Sequence, residues 1–552
     1  MKPSDTTLQV MWNRLLAIVE EQGQALVRAA FSPIVRECGD ISAGVFDAGG
    51  RMLAQAVTGT PGHINTMAAA VRTLQKHFGN SNMKPGDIYL TNDPWIASGH
   101  LNDFLLMMPV FRNNVVVGFT SCTSHLVDLG GLGMGPEGSD IYDEGLLIPP
   151  CRLVSQGRVN ELLMDIVRAN SREPVANEGD IYALIACCEA GAARLSGMMA
   201  EFDLETLDAL SEYIIGTSRS ATMNAIRALP HGTWQSALIC DGYASDIRLC
   251  AGLTISDDGI LVDFAGTDGC TDKGINVPLN YATAYTVFAL RCLIGPEIPN
   301  NAGSLEPFRV VAPPGCILNA QPPSPVAMRH TLGQMTPDLV YGCLSQALPD
   351  AVPAEGASCM YDLPLRHTTD AASDPGRHFA LELVFNGGTG ARPALDGLSA
   401  TAFPSGVWGS QIETTEAAAP VLFHKRELRE DSGGAGTCRG GLGQRIEISP
   451  AGEDAFLVFL SVERMRNAAS GRRGGQAGAS GRIRRIRPDA PDEDLPGKGT
   501  FRIGSGETLI FETPGGGGYG PAAERPRKAV LDDVTAGFIS PDAARTIYGA
   551  DI

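Results

Sequence analysis

GHLNDFLLMMPVFRNNVVVGFTSCTSH, residues 99–125, is the stretch whose reading decides the fold. Phe104 to Phe111 is an apolar run, Arg112-Asn113-Asn114 a turn signal, and Val115 to Thr123 a β-branched return. Together they make a β-hairpin. With Asn113-Asn114 as a two-residue turn, counting outward sets Asp103 opposite Ser124 and His125 opposite Asn102. His100, Asp103 and His125 then meet at the open end of one hairpin. Two imidazole nitrogens and a carboxylate oxygen, with positions left for water, are a common ligand set for a catalytic divalent metal. The plainer reading of the same residues is a pair of hydrogen-bonded histidines beside a surface loop.

Upstream, Leu8, Met11, Leu15, Ile18, Val19, Leu26 and Ala30 repeat at helical spacing, which predicts a long helix over residues 8–31. Asp40 to Phe46 enters the turn Asp47-Ala48-Gly49-Gly50, and Arg51 to Val57 returns, a second hairpin with Asp40 at its open end. His63 follows shortly after. Residues 157–230 read as helical. Trp234 to Cys240, Ile247 to Ile255 and Ile260 to Phe264 alternate as antiparallel strands. Asn280 to Leu293 and Leu332 to Leu348 read as helices, with a strand at Phe308 to Ala312. The last 170 or so residues are glycine-rich, and interleaved Leu, Ile, Phe and Val point to turns in a folded β-rich region. The expectation is an α+β, multidomain chain with mixed, mostly antiparallel sheets. Its parts are residues 1–155 with the long helix, the hairpins and the metal site, a mixed helix–strand region 156–380, and a glycine-rich, β-rich region 381–552.

The 552 residues carry a formal charge of −19, which disfavours nucleic acid as a partner because phosphate binding needs a basic surface. No apolar run approaches the ~18 residues that span a bilayer. Met1-Lys2-Pro3-Ser4-Asp5 lacks a signal-peptide pattern. Thirteen cysteines without C-x-x-C spacing read as reduced thiols, so the expected setting is cytoplasmic. Gly133-x-Gly135-x-x-Gly138 and Gly515-x-Gly517-x-x-Gly520 match a dinucleotide fingerprint in letters only, since neither opens a helix-period segment. Lys498 sits in a poor imitation of a phosphate loop, and Ser432-Gly433-Gly434 reads as a turn rather than a nucleophile elbow.

Three motifs carry a resemblance. They are Gly86-Asp87-Ile88-Tyr89-Leu90-Thr91-Asn92-Asp93-Pro94 with Gly99-His100-Leu101-Asn102-Asp103, then Ser124-His125-Leu126-Val127-Asp128-Leu129-Gly130-Gly131, and Asp431-Ser432-Gly433-Gly434-Ala435-Gly436 with Arg439-Gly440-Gly441-Leu442-Gly443. In these the chain resembles the hydantoinase B family over essentially its whole length. That family includes subunits of ATP-dependent hydantoinases, oxoprolinases and caprolactamase, and related subunits of acetone and acetophenone carboxylases.

The resemblance implies one divalent metal, zinc or manganese, held by Asp40, His100, Asp103 and His125. It also implies that ATP is bound by a separate hydantoinase A-type subunit in an (αβ)2 assembly, which accounts for the missing phosphate loop. The implied activity is ATP-dependent opening of a small cyclic amide, with ketone carboxylation as the alternative and a purely structural metal as the non-enzymatic one. Asp128 and Glu144 are candidates for orienting a ligand imidazole or acting as general base. As loop carboxylates, both are read more readily as caps of backbone amides.

Overall fold

The computed structural model describes residues 4–57, 59–368 and 378–550. Its N-terminal part begins with the helices α1 (Asp5–Ala29) and α2 (Pro33–Arg36). A seven-stranded antiparallel sheet follows, from β1 (Ile41–Asp47), β2 (Met52–Gln55), β3 (Ile88–Thr91), β4 (Asp103–Arg112), β5 (Val115–His125), β6 (Cys151–Ser155) and β7 (Arg158–Val159). The strand order is β2-β1-β5-β4-β3-β6-β7. Helix α3 (Pro61–Phe78) lies between β2 and β3 in the chain, and α4 (Glu161–Asn170), α5 (Pro174–Glu201) and α6 (Asp208–Arg227) follow β7.

The strands alternate, so the sheet buries both faces. Phe104, Leu106 and Cys122 join Leu15, Val19, Ile181 and Leu184 in one core under α1 and α5. Leu105, Met107 and Phe119 join Ile64, Met67 and Val71 of α3 in another on the opposite face. Helix α5 is apolar and long enough, at 28 residues, to match a membrane span, yet it packs against α1, β4 and β5.

The hairpin forms as the sequence suggests, with one correction. Asn113 and Asn114 have φ of 50° and 64°, the left-handed pair of a type I′ turn. Arg112 pairs with Val115 and Phe111 with Val116, but the next pair is Val110 with Gly118, so Val117 is a β-bulge. One extra residue on β5 shifts everything beyond it. Asp103 therefore pairs directly with His125 instead of Ser124. β1 lies on the other side of β5, with Ile41 opposite Ser124, which sets Asp40 next to His125.

The middle part holds β8 (Gly232–Cys240), β9 (Ile247–Ser256), β10 (Gly259–Asp263) and β11 (Phe308–Val311), in the order β11-β10-β9-β8 with β10 and β11 parallel. Helices α7 (Leu279–Leu293), α8 (Ala302–Leu305), α9 (His330–Gly333) and α10 (Thr336–Ala347) belong to this region. The single helix expected over 332–348 is thus two pieces, since Pro337 lies in the first turn of α10 and fits only a helix start.

Strands β12 (Tyr361–His367) and β13 (Ala380–Phe385) open the C-terminal part. They pair with β16 (Phe456–Ser461) and β19 (Lys498–Ile503) in the order β13-β12-β16-β19. Helix α11 (Ile412–Ala418) precedes a second sheet of β14 (Val421–Leu428), β15 (Gln444–Pro450), β17 (Arg482–Ile486), β18 (Glu493–Leu495) and β20 (Thr508–Glu512). The two sheets share one core of Leu363, Leu383, Val458, Ile446 and Phe511. Helices α12 (Arg527–Thr535) and α13 (Pro541–Thr546) end the described chain.

The glycine-rich segments differ from expectation. Gly452 and Gly506 do make turns between strands, with φ of 67° and 77°, but the two richest runs, 433–441 and 515–518, are chains packed side by side. Gly516 donates to Gly441 O at 3.0 Å, Gly441 to Thr389 O at 2.9 Å, and Gly434 to Gly516 O at 2.8 Å. A Cβ on Gly440 would lie 1.9 Å from Gly516 O, and one on Gly516 2.0 Å from Thr389 O. Close approach of backbones, not turning, requires the glycines.

Candidate metal centre

Three strand ends and one helix start converge below the open end of the hairpin. Asp103 begins β4 and His125 ends β5 as register partners. His100 precedes them in a turn where Gly99 has φ 90° and packs so tightly that a Cβ would sit 3.0 Å from Tyr281 Cβ. Asp40 precedes β1, and its carbonyl accepts from His125 N–H at 3.3 Å. Ligand atoms of His100, Asp103 and His125 lie within 4.8 Å of one another, all buried.

The atoms point as metal ligands point. His100 Nδ1 lies 3.1 Å from the Ala327 carbonyl, which can only accept, so Nδ1 carries the hydrogen. That leaves a lone pair on Nε2, which lies 2.8 Å from Asp103 Oδ1 with no hydrogen-bond partner. Burial and the Arg329 guanidinium push His100 down to about 4, so at neutral pH no second proton fills the gap. Two acceptors facing each other at this distance repel unless a cation lies between them. His125 Nδ1 stands 3.3 Å from the same oxygen and its Nε2 2.8 Å from Glu382 Oε2 on β13. The residues present therefore fit a divalent metal with imidazole and carboxylate ligands.

Asp103 is held from behind. Its Oδ2 accepts from Arg329 Nη2 at 2.7 Å and lies 3.0 Å from His63 Nε2. Burial alone would raise the Asp103 pKa, but the charges of His63 and Arg329 pull against it, and the carboxyl is held well below the usual range. Arg329 is fixed in turn by a 3.1 Å bond to Ser98 O and by the Tyr281 ring 4.3 Å below its guanidinium. His63 lies in the first turn of α3, where Thr60 Oγ1 accepts its N–H at 3.3 Å. Its Nδ1 reaches to 3.5 Å from Asp40 Oδ1. Burial and the neighbouring carboxylates set the Asp40 pKa above its ordinary value, with His63 and His125 pulling it back.

The other sequence candidates stand in supporting positions. Asp128 accepts from the Gly130 and Arg172 amides at 3.0 and 2.9 Å and pairs with Arg172 Nη1 at 2.8 Å. Glu144 Oε1 accepts from the amides of Val326 and Ala327 at 2.6 and 2.8 Å, and Ala327 is the residue whose carbonyl fixes His100. Ser432 is buried, donating to Arg429 O and accepting from Gly443 N–H. Lys498 is paired with Glu463 at 2.7 Å inside β19.

Sequence reasoning gave His63 no role and did not single out Arg329, His330, Asp362 or Glu382. These last four come from elements 200 or more residues downstream and carry no local motif. The one faint signal is Glu382, a charge inside the apolar strand Leu381 to Phe385.

Glu144 is accessible to a direct test. Burial pushes its carboxyl up to about 8, against the pull of the Ala327 and Val326 amides. The folded state then keeps a proton that the unfolded chain releases above about 4.5, so stability falls as pH rises from about 4.5 to about 8. Glu144→Gln keeps the acceptor oxygen and never ionises. It should flatten that fall in the metal-free protein, read by denaturant unfolding across pH. Glu144→Ala orphans both amides and frees the Ala327 carbonyl that orients His100. Metal affinity should drop about 10- to 100-fold. Unchanged affinity would show that His100 is held without Glu144.

Comparison with known proteins bears on the same residues. The family model described as hydantoinase B/oxoprolinase matches residues 4–522. The chain belongs to that family. The B-type subunit of a putative D-/L-hydantoinase from Pseudomonas sp. strain NS671 is 29% identical, across 99% of this chain and 95% of its own. The crystal structure of the ATP-dependent caprolactamase from Pseudomonas jessenii superposes with a TM-score of 0.91 at 27% identity, covering 100% of this chain and 97% of that one. A nucleotide-free acetone carboxylase gives a TM-score of 0.87 at 20% identity, over 98% of this chain and 79% of its own, a likeness of fold. The multidomain α+β architecture with its long N-terminal helix is that of the caprolactamase.

Proposed function

We propose that this chain is the metal-binding subunit of an ATP-dependent cyclic amidase, which opens hydantoin-, oxoproline- or lactam-type rings. The observation that carries this reading is the pair of lone pairs, His100 Nε2 and Asp103 Oδ1, facing each other 2.8 Å apart with His125 beside them. Family relatives named as hydantoinase, 5-oxoprolinase and caprolactamase support the substrate class. The 20% likeness to an acetone carboxylase supports only the fold, so ketone carboxylation stands second.

Asp40, His100, Asp103 and His125 would hold zinc or manganese. When bound, such a metal makes water acidic enough to attack near neutral pH and polarises the electrophile. The chain's own groups prepare that site. The Ala327 carbonyl fixes the His100 tautomer, Arg329 and His63 keep Asp103 ionised, and Glu382 orients His125. We assign Glu144 a positioning role through Ala327, and Asp128 the anchoring of the loop after His125 to Arg172, just before α5. Burial of the whole cluster removes competing water and strengthens each charge interaction.

ATP would act on a hydantoinase A-type partner in an (αβ)2 assembly, and relatives named as subunits support a partner. All thirteen cysteines are unpaired, which suits a cytoplasmic setting. The deciding assay is ATP-dependent consumption of hydantoin, 5-oxoproline, caprolactam and acetone by the co-expressed complex, with and without bicarbonate. Turnover of acetone alone would overturn the amidase reading.

Nucleotide binding by the isolated chain gives a second check. Lys498 is locked to Glu463 in a strand, and neither Gly-x-Gly-x-x-Gly run opens a helix that could cradle phosphate. Calorimetry should detect no micromolar ATP binding until the partner is added. Tight binding by the chain alone would contradict the division of labour.

A further inference from the structure

His330 and Asp362 are a buried ionisable pair that the metal centre does not use. His330 begins α9 directly after Arg329, the residue that grips Asp103. Asp362 lies on β12. Its strand neighbour Pro364 is the register partner of Glu382, so Asp362 and Glu382 share a face as diagonal neighbours. Both His330 and Asp362 are wholly buried. With both carboxyls ionised, neither His330 nitrogen and neither Asp362 oxygen has a hydrogen-bond partner among protein atoms. A proton shared with Glu382 would join one Asp362 oxygen to it and leave the other as an acceptor. The pair's own closest approach, His330 Nε2 to Asp362 Oδ2, is 3.8 Å, too long for a direct bond.

Folded proteins rarely leave such groups unpaired unless a ligand or water completes them. Position favours a ligand. His330 follows Arg329, which grips Asp103 at 2.7 Å, and Asp362 shares its sheet face with Glu382, which lies 2.8 Å from His125, so the pair borders the metal centre on the Glu382 side.

We propose that Asp362 and His330 recognise the amide edge of the ring. An Asp362 oxygen accepts the ring N–H, and a His330 N–H donates to the ring oxygen. This rests on the cyclic amidase reading and deepens it. An ordinary peptide is trans and presents its C=O and N–H on opposite sides. A small lactam is locked cis, with both on one edge, and one edge is what an acceptor and a donor 3.8 Å apart address. The substrate class is therefore a secondary cyclic amide, and substitution on nitrogen removes the recognised donor.

The test uses the metal-loaded complex with its partner. The substrates are whichever of hydantoin, 5-oxoproline and caprolactam the wild type opens, and the same ring methylated at the nitrogen of the scissile bond. Wild type should prefer the N–H ring at least about a hundredfold in kcat/KM. Asp362→Ala, with no acceptor and room for the methyl, should cut that preference below about tenfold. Asp362→Asn, which keeps an acceptor oxygen, should retain it. His330→Gln should retain the preference. Metal content and assembly should match wild type in all three, which a general packing defect would not allow. An unchanged preference in Asp362→Ala overturns the proposal, and so does a wild type indifferent to N-methylation, without recourse to any variant. A wild type that opens none of the three rings sinks the amidase reading instead.

Discussion

His125→Ala should leave the purified chain without its metal and the complex without ring-opening activity, where the wild type carries close to one ion per chain. The ring of His125 stands between two carboxylates, with Asp103 Oδ1 at 3.3 Å and Glu382 Oε2 at 2.8 Å. Alanine removes one ligand and leaves Glu382 facing a gap. His100→Ala should act alike, since it removes the lone pair aimed at Asp103. Because metal binds the folded state, its loss also lowers stability, by about 4 kcal/mol at a metal concentration a thousand times the Kd. Metal analysis and thermal unfolding of both variants decide the matter. Unchanged metal content in the two would remove the site from these residues.

The parts of this site that were legible from sequence are those made by short-range patterns. The alternation of Phe104 to Thr123 and the Asn113-Asn114 turn place His100, Asp103 and His125 together without reference to anything distant. The register error of one residue came from Val117, which sits in the run Val115-Val116-Val117-Gly118 with nothing to mark it as a bulge. Its consequence is chemical, since the bulge makes Asp103 and His125 direct partners. Asp40 entered through resemblance, and only the β1–β5 pairing gives its position a physical cause.

What stayed hidden is long-range. Arg329, His330, Asp362 and Glu382 reach the hairpin from segments more than 200 residues away, and no periodicity encodes such an encounter. The glycine-rich segments were misread for a different reason. Composition shows that a Cβ is unwelcome, but it does not say whether the cause is a positive φ or a neighbouring backbone. At Gly440 and Gly516 the cause is a carbonyl about where the Cβ would sit.

Asp40→Asn and Asp103→Asn separate catalysis from scaffolding, and the structure makes them unequal. Both keep side-chain volume and remove one negative charge from the metal's surroundings. Asp103 is also the counter-ion of Arg329 at 2.7 Å, with both side chains nearly sealed from solvent. A neutral amide in place of this carboxylate would leave the guanidinium buried without its charge partner, at a cost of about 3–5 kcal/mol. Asp103→Asn should therefore lose metal and much of its stability together, and its inactivity would not distinguish the two causes. Asp40 lies 3.5 Å from His63 and, among the described residues, makes no direct ion pair with Arg329. Asp40→Asn should fold, assemble with the partner, and hold metal weakly. If nucleotide chemistry resides in the partner chain, this complex should still hydrolyse some ATP while releasing no ring-opened acid. Metal content, ATP turnover and product, measured on one preparation of Asp40→Asn, give that outcome or its opposite. Normal product formation by an Asp40→Asn complex shown to be metal-free would make the metal structural, and the hydrolytic reading would have to be abandoned.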